Sequence, residues 1–367
     1  MFNEKLLREL AALEGTGPVL TVYLNVDPTE HTAEEYKLIL RELLKQAEDA
    51  AEVEDIEAVK RYVDYEYDWA GRGLVIFSRQ ADDIWYALTL SVPVRSGVTV
   101  ARKPYISPLV ELNSLYGRYA VALVDRQGAR FYLFQMGEAI AEEEFAGETL
   151  KGTRKEKGSS MTGMRGGGTG SKNKMGEIVQ RNMREAAEAL NRFAQRYHPR
   201  RILLAGSDQN VAQFQEALPT HLRNAVVGTF NADMEAGEME LRDNSLQILQ
   251  EVESLRKETL IEAVVTAAAK GANGIVRLDE TLSAAHEGRI QVLVLERDYH
   301  SPGYRCTGCG YLTTQNLGTC PFCGADFAKI PDAAEAVVSQ VVEKGGTVEV
   351  VADEAMGATR IGALLRY

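Results

Sequence analysis

The run Tyr116-Gly117-Arg118-Tyr119-Ala120-Val121-Ala122-Leu123-Val124-Asp125-Arg126-Gln127-Gly128-Ala129-Arg130-Phe131-Tyr132-Leu133-Phe134 decides how this chain folds. Residues 120–124 and 129–134 are two apolar, strand-forming runs, and the polar Asp-Arg-Gln-Gly between them is a turn. Together they read as an antiparallel hairpin. Working toward the C-terminus, a third strand is expected near 139–145 and a helix over 177–197, stopped by His198-Pro199. A strand at 201–205, a helix at 210–218 and a strand at 225–230 follow. Strands alternating with helices predict a mixed sheet covered by helices.

Toward the N-terminus, residues 1–112 open with an amphipathic helix and a strand at 19–26 closed by Asp27-Pro28. Leu40, Leu43, Leu44 and Ala47 recur at helical spacing, and a second helix is expected near 56–68. Strands at 73–77 and 84–92 flank a polar turn at 80–83. Beyond the middle segment, a long helix over 243–271, broken once, leads to strand 274–278, helix 279–287 and strand 290–295. After a cysteine segment come helix 332–344, the Gly345-Gly346 turn, strand 347–352 and strand 361–365. The pattern is α/β (α+β) in three domains, 1–112, 113–242 and 243–367.

The chain has 367 residues, too many for one core at about 150 residues per domain. With 45% hydrophobic and 26% charged residues it is ordinary globular material. A net charge of −12 argues against a surface that coats duplex nucleic acid, so any basic contact must be local. The longest apolar stretches, such as 263–269, fall well short of the roughly 20 residues a membrane span needs. No secretory leader is evident. A cytoplasmic protein is expected.

The only four cysteines, Cys306, Cys309, Cys320 and Cys323, form two C-x₂-C pairs ten residues apart, each followed directly by glycine (Gly310, Gly324). A disulfide framework scatters its cysteines; this spacing is that of a zinc ribbon over 303–328. Four thiolates leave tetrahedral zinc no open position, so such a metal is structural. A redox dithiol and chance spacing are the alternatives, and His300 is a competing ligand or a solvated loop residue.

From Lys151 to Arg184 there are nine Lys or Arg against two Glu, a local net charge of +7 inside an acidic chain. Its centre, Gly163-Met164-Arg165-Gly166-Gly167-Gly168-Thr169-Gly170-Ser171-Lys172, offers little to bury, and 151–176 reads as a glycine-rich loop. Arg165, Lys172, Lys174, Arg181 and Arg184 are the candidate RNA-phosphate contacts, with a solvated linker as the alternative. The G-x₄-G-K-[ST] nucleotide loop is absent. Asp125, Asp208 and Asp233 are the only spaced carboxylates a nuclease could use, and each is more easily a cap or turn residue.

Over residues 104–367 the chain resembles the archaeal and eukaryotic class 1 peptide-chain release factors, their Pelota-type rescue relatives and bacterial proteins of that architecture. Pro104-Tyr105-Ile106 through Asp125 is similar to the start of the family's middle domain, and Gly345 to Asp353 with Ile361-Gly362-Ala363-Leu364-Leu365-Arg366-Tyr367 is similar to its closing motif. The resemblance implies a release-factor-like middle domain and an L7Ae-like C-terminal domain with an inserted zinc ribbon. It implies a monomer whose partners are the ribosome, through rRNA and peptidyl-tRNA, and a translational GTPase, with no membrane role. It further implies that Gly166, Gly167 and Gly168 stand where the family's catalytic Gly-Gly-Gln stands.

The sequence departs from the family in ways that bear on function. Gly168 keeps a backbone N–H for an oxyanion but lacks the glutamine side chain, so peptidyl-tRNA ester hydrolysis is expected to be weakened or absent. There is no NIKS, and no cysteine before 306 to supply a Y-x-C-x-x-x-F pattern, so stop-codon reading is not expected. The expected function is translation termination, ribosome rescue or quality control. The alternative is a non-catalytic ribosome- or RNA-binding protein of the same architecture.

Overall fold

The computed structural model describes residues 4–13, 15, 17–30, 32–150 and 169–367. They form two compact units, Met1–Leu115 with Glu253–Tyr367, and Tyr116–Val252.

The first unit begins with α1 (Glu4–Ala12), β1 (Val19–Asn25), α2 (Ala33–Ala47) and α3 (Val53–Arg61). Thr32 and Glu35 form a reciprocal capping box that starts α2. Leu40, Leu44 and Ala47 then face the core as the spacing predicts. The helix expected near 56–68 is instead α3 followed by a π-helical turn at Tyr62–Glu66. β2 (Gly73–Arg79), β3 (Ile84–Leu90) and β4 (Gly97–Ala101) complete an antiparallel sheet ordered β3-β2-β1-β4. Neither β4 nor the following α4 (Ser107–Tyr116) was foreseen as an element.

The second unit is built on β5 (Tyr119–Val124), β6 (Gly128–Gln135) and β7 (Glu138–Ala146). The hairpin closes where Val124 pairs with Ala129, and the Asp125 carboxylate accepts hydrogen bonds from the N–H groups of Gln127 and Gly128, both at 2.7 Å. Helix α5 (Thr169–Tyr197) is followed by β8 (Arg201–Ala205), α6 (Asp208–Ala217), α7 (Thr220–Ala225) and β9 (Val226–Phe230). β8 lies parallel to β5 and β9 parallel to β8, giving the mixed sheet β7-β6-β5-β8-β9. Met183, Leu190 and Phe193 of α5 and Phe214 of α6 pack on Phe131, Leu133 and Leu204 of the sheet.

Helix α5 starts at Thr169, so 169–176 is helical and does not belong to a loop ending at 176. Once its C-terminal half is held by the core, each further residue adds one backbone hydrogen bond with no new nucleation cost. The helix expected over 243–271 is α8 (Glu238–Ala269), unbroken and five residues longer at its start.

The rest of the first unit comprises β10 (Gly274–Ile275), α9 (Leu278–His286), β11 (Ile290–Glu296), β12 (Gly303–Cys306), β13 (Leu312–Thr313), β14 (Phe327–Ile330), α10 (Ala333–Glu343), β15 (Thr347–Val351) and β16 (Ile361–Leu365). β10 has two residues where five were expected, because extended Arg277 already precedes α9. β11 pairs parallel with β15 and antiparallel with β16 in the sheet β10-β16-β11-β15, while β12, β13 and β14 form a separate small sheet.

Candidate functional site

The small sheet exists to present two backbone knuckles. In the first, the N–H of Gly310 bonds the carbonyl of Cys306 at 3.1 Å; in the second, the N–H of Gly324 bonds the carbonyl of Cys320 at 2.9 Å. Both glycines sit at φ +75, the left-handed region where a Cβ is strained. Gly308 is tight for another reason: a Cβ there lies 3.0 Å from the Cys323 sulfur. The result is that the four Sγ atoms all lie within 4.8 Å of one another. Cys306 and Cys323 are 3.4 Å apart and Cys309 and Cys320 3.6 Å, far beyond a disulfide bond.

Those spacings suit one metal ion. With metal–sulfur bonds of about 2.3 Å, a tetrahedron has edges of about 3.8 Å. Backbone N–H groups of Gly308 and Cys309 point at the Cys306 sulfur, 3.4 and 3.5 Å away. Burial raises the Cys306 thiol, but the Cys309 N–H, the Cys323 sulfur and the Gly308 N–H favour the thiolate more, and its pKa falls to about 6. Among the described residues this is the one place where three or more His, Cys, Asp or Glu ligand atoms converge. His300 is not in it, since its Nδ1 meets the Asp332 carboxylate at 2.6 Å and that partner raises its pKa. The ribbon is seated on α9, where the rings of Tyr311 and Phe322 pack on His286 with centroids 5.2 and 4.6 Å away.

Arg165, Gly166, Gly167 and Gly168 lie outside the described residues. Lys172 falls on α5, and Lys174, Arg181 and Arg184 are exposed farther along that helix. What the structure does describe is the foot of the basic segment. Asn182, buried on α5, donates from Nδ2 to the carbonyls of Arg126 and Glu148, both at 3.0 Å, and accepts from the Glu148 N–H at 2.8 Å. One amide therefore joins the hairpin turn, the chain leaving β7 and the helix. Gly147 makes this closeness possible: a Cβ there lies 2.6 Å from Asn182 Cγ and 2.9 Å from the Gln127 carbonyl. Arg181 adds an ion pair to Glu148 at 3.2 Å. Sequence reasoning missed Asn182, although a polar residue in the otherwise apolar stripe of Val179, Met183 and Ala186 is a legible signal.

The nuclease carboxylates do not assemble. Asp125 is spent on its own turn, Asp208 is the first residue of α6 after the Ser207 cap, and Asp233 lies in the turn after β9 with its carbonyl bonded to the Ala236 N–H.

Residues 104–257 match the family model described as Bacterial archaeo-eukaryotic release factor family 10. The middle of this chain is similar to that family. A peptide chain release factor subunit 1 of Archaeoglobus fulgidus is 23% identical over 245 residues, which are 63% of this chain and 58% of that protein. The chain thus spans less than two thirds of the length of the curated relative it matches. Among solved structures, Archaeoglobus fulgidus Pelota aligns over 100% of this chain and 92% of its own, at 12% identity and a TM-score of 0.36. A model of ribosome-bound archaeal Pelota and ABCE1 aligns over 100% and 94%, at 11% identity and a TM-score of 0.40. Among the described residues no helix is long and apolar enough to cross a membrane.

Proposed function

We propose that this protein works in the cytoplasm on the ribosome, as a release-factor homologue in translation termination, ribosome rescue or quality control. The observation that carries this reading is the family match over 104–257, because it spans the unit in which a +7 segment leaves and rejoins an acidic chain. In this reading Arg165, Lys172, Lys174, Arg181 and Arg184 neutralise rRNA phosphates, Gly166, Gly167 and Gly168 approach the peptidyl-tRNA ester, and a translational GTPase is a partner. The three-domain division at 112 and 242 belongs to the same proposal.

Four thiolates with no water position are the donor set of structural zinc, and we assign zinc to Cys306, Cys309, Cys320 and Cys323. The metal holds the knuckles and takes no part in chemistry at the ribosome.

A second reading, binding without catalysis, is favoured by Gly168, which lacks the side chain that orders the attacking water. Release of labelled formyl-methionine from ribosomal complexes, run beside co-sedimentation, separates the two. The wild type is expected to sediment with ribosomes and release peptide slowly or not at all, and Gly168→Gln to raise the rate without changing affinity. Ribosome affinity unchanged in an Arg165→Ala, Lys172→Ala, Lys174→Ala triple variant overturns the role of the basic segment.

A further inference from the structure

A groove of about 690 Å³ runs between α5 and α6 at the foot of the basic segment. Helix α5 lines it with Gly176, Gln180 and Arg184, spaced four apart and so on one stripe. Helix α6 answers with Gln209 and Gln213, also four apart. Arg126, from the hairpin turn, donates to the Gln209 amide oxygen at 2.8 Å, which fixes a guanidinium at the groove wall. Val179 and Met183 supply an apolar floor, and Glu216 is the single carboxylate in the lining.

The chemistry of this lining is specific. Gln180 on one wall and Gln213 on the other each offer a donor and an acceptor, which suits the edge of a nucleobase. The apolar floor suits its face, and Arg126 and Arg184 suit its phosphate. Arg184, like the nearby Lys174, has no carboxylate partner among the described residues. Gly176 leaves the α5 backbone open, since a Cβ there meets nothing within 4 Å. A duplex hides both faces and the pairing edges of its bases; a single strand offers them.

We propose that the α5–α6 groove binds an unpaired RNA nucleotide, base between the two helices and phosphate toward Arg126 and Arg184. The proposal rests on the reading that this unit meets RNA, and adds that it meets single-stranded RNA through its bases.

The test titrates the full chain with a labelled single-stranded RNA hexamer of mixed sequence, the same hexamer in duplex form, and inorganic polyphosphate. The single strand is expected to bind more tightly than the duplex and to resist displacement by polyphosphate. Gly176→Phe fills the groove from an open position, so it is expected to weaken hexamer binding by about tenfold or more at unchanged melting temperature. Gln213→Ala, at an exposed position, is expected to weaken hexamer binding while leaving polyphosphate binding alone. Hexamer affinity unchanged in both variants, or equal affinity for single strand and duplex, overturns the groove assignment. Wild-type protein that fails to sediment with ribosomes overturns the broader reading instead, whatever the hexamer does.

Discussion

In the ribbon the buried cluster amounts to Cys306, Tyr311 and Cys320, with Ala325 and Phe327 packed beside them. In the second unit the sheet closes on Phe131, Leu133, Leu190, Phe193, Leu204 and Phe214, each almost fully buried. The ribbon also leaves Phe322 half exposed and devotes three glycines at positive φ, Gly310, Gly318 and Gly324, to its turns. A segment with so little apolar area cannot offset its own chain entropy, and segments under about 40 residues usually need a metal or disulfides. The contrast teaches where order comes from: sulfur geometry in one region, side-chain packing in the other.

The contrast is tested most strongly by removing the metal. Chelation, or Cys309→Ser, is expected to unfold the ribbon while leaving the second unit folded, because metal binding at such sites is linked to local folding by on the order of 10 kcal/mol. Hydrogen exchange at 303–330 and at 116–252, with elemental analysis before and after, is the measurement. Full protection of a metal-free ribbon breaks the comparison.

The converse change is Phe214→Ala. Truncating this buried ring is expected to cost the second unit about 3–5 kcal/mol by denaturant unfolding, with the bound metal still at one equivalent per chain. A loss of metal in that variant argues that the two regions do not hold their order independently.

Within the packed unit, Asn182→Ala removes one acceptor and two donors from the foot of the basic segment. A loss of about 1 kcal/mol is expected, for the hydrogen bonds removed at Arg126 and Glu148, with faster exchange at Gly147 and Glu148. Unchanged exchange there shows that the amide does not hold the foot.

The gentlest probe is pH, and it sharpens the other side of the comparison. Glu335 heads α10 and accepts from the Ile106 N–H at 2.9 Å and from the Ser107 hydroxyl. Burial, opposed only in part by those hydrogen bonds, raises its pKa from 4.5 to about 8. The folded chain therefore keeps a proton that the unfolded chain releases. Stability falls as pH rises from about 4.5 to about 8, by at most about 1.4 kcal/mol per pH unit. Glu335→Gln keeps an acceptor and removes the titration, so its denaturation midpoint is expected to lose that share of the slope. An identical slope in the variant assigns the pH dependence elsewhere.

Much of the fold was legible. The hairpin at 120–134 was written in two apolar runs and an Asp-x-x-Gly turn, and α2 in a leucine stripe at helical spacing. The cysteine cluster was legible because knuckle ligands are close in sequence. Elements without a periodic signature escaped: β4, whose residues are all only half buried, α4, and α7, a six-residue turn of helix. The start of α5 was misplaced because glycine and lysine content says nothing about a helix propagated from a distant core.

The sequence by itself determined the mixed α/β character, the sulfur donor set and the concentration of positive charge, since each depends on residues near one another along the chain. Only the tertiary structure decided that Asn182 joins Arg126 to Glu148 and that glutamines on two helices face one groove. It likewise decided that three suggestive aspartates stay with their own turns and helix start. These are contacts between residues far apart in the chain, fixed by how helices settle on a sheet, and no local pattern records them.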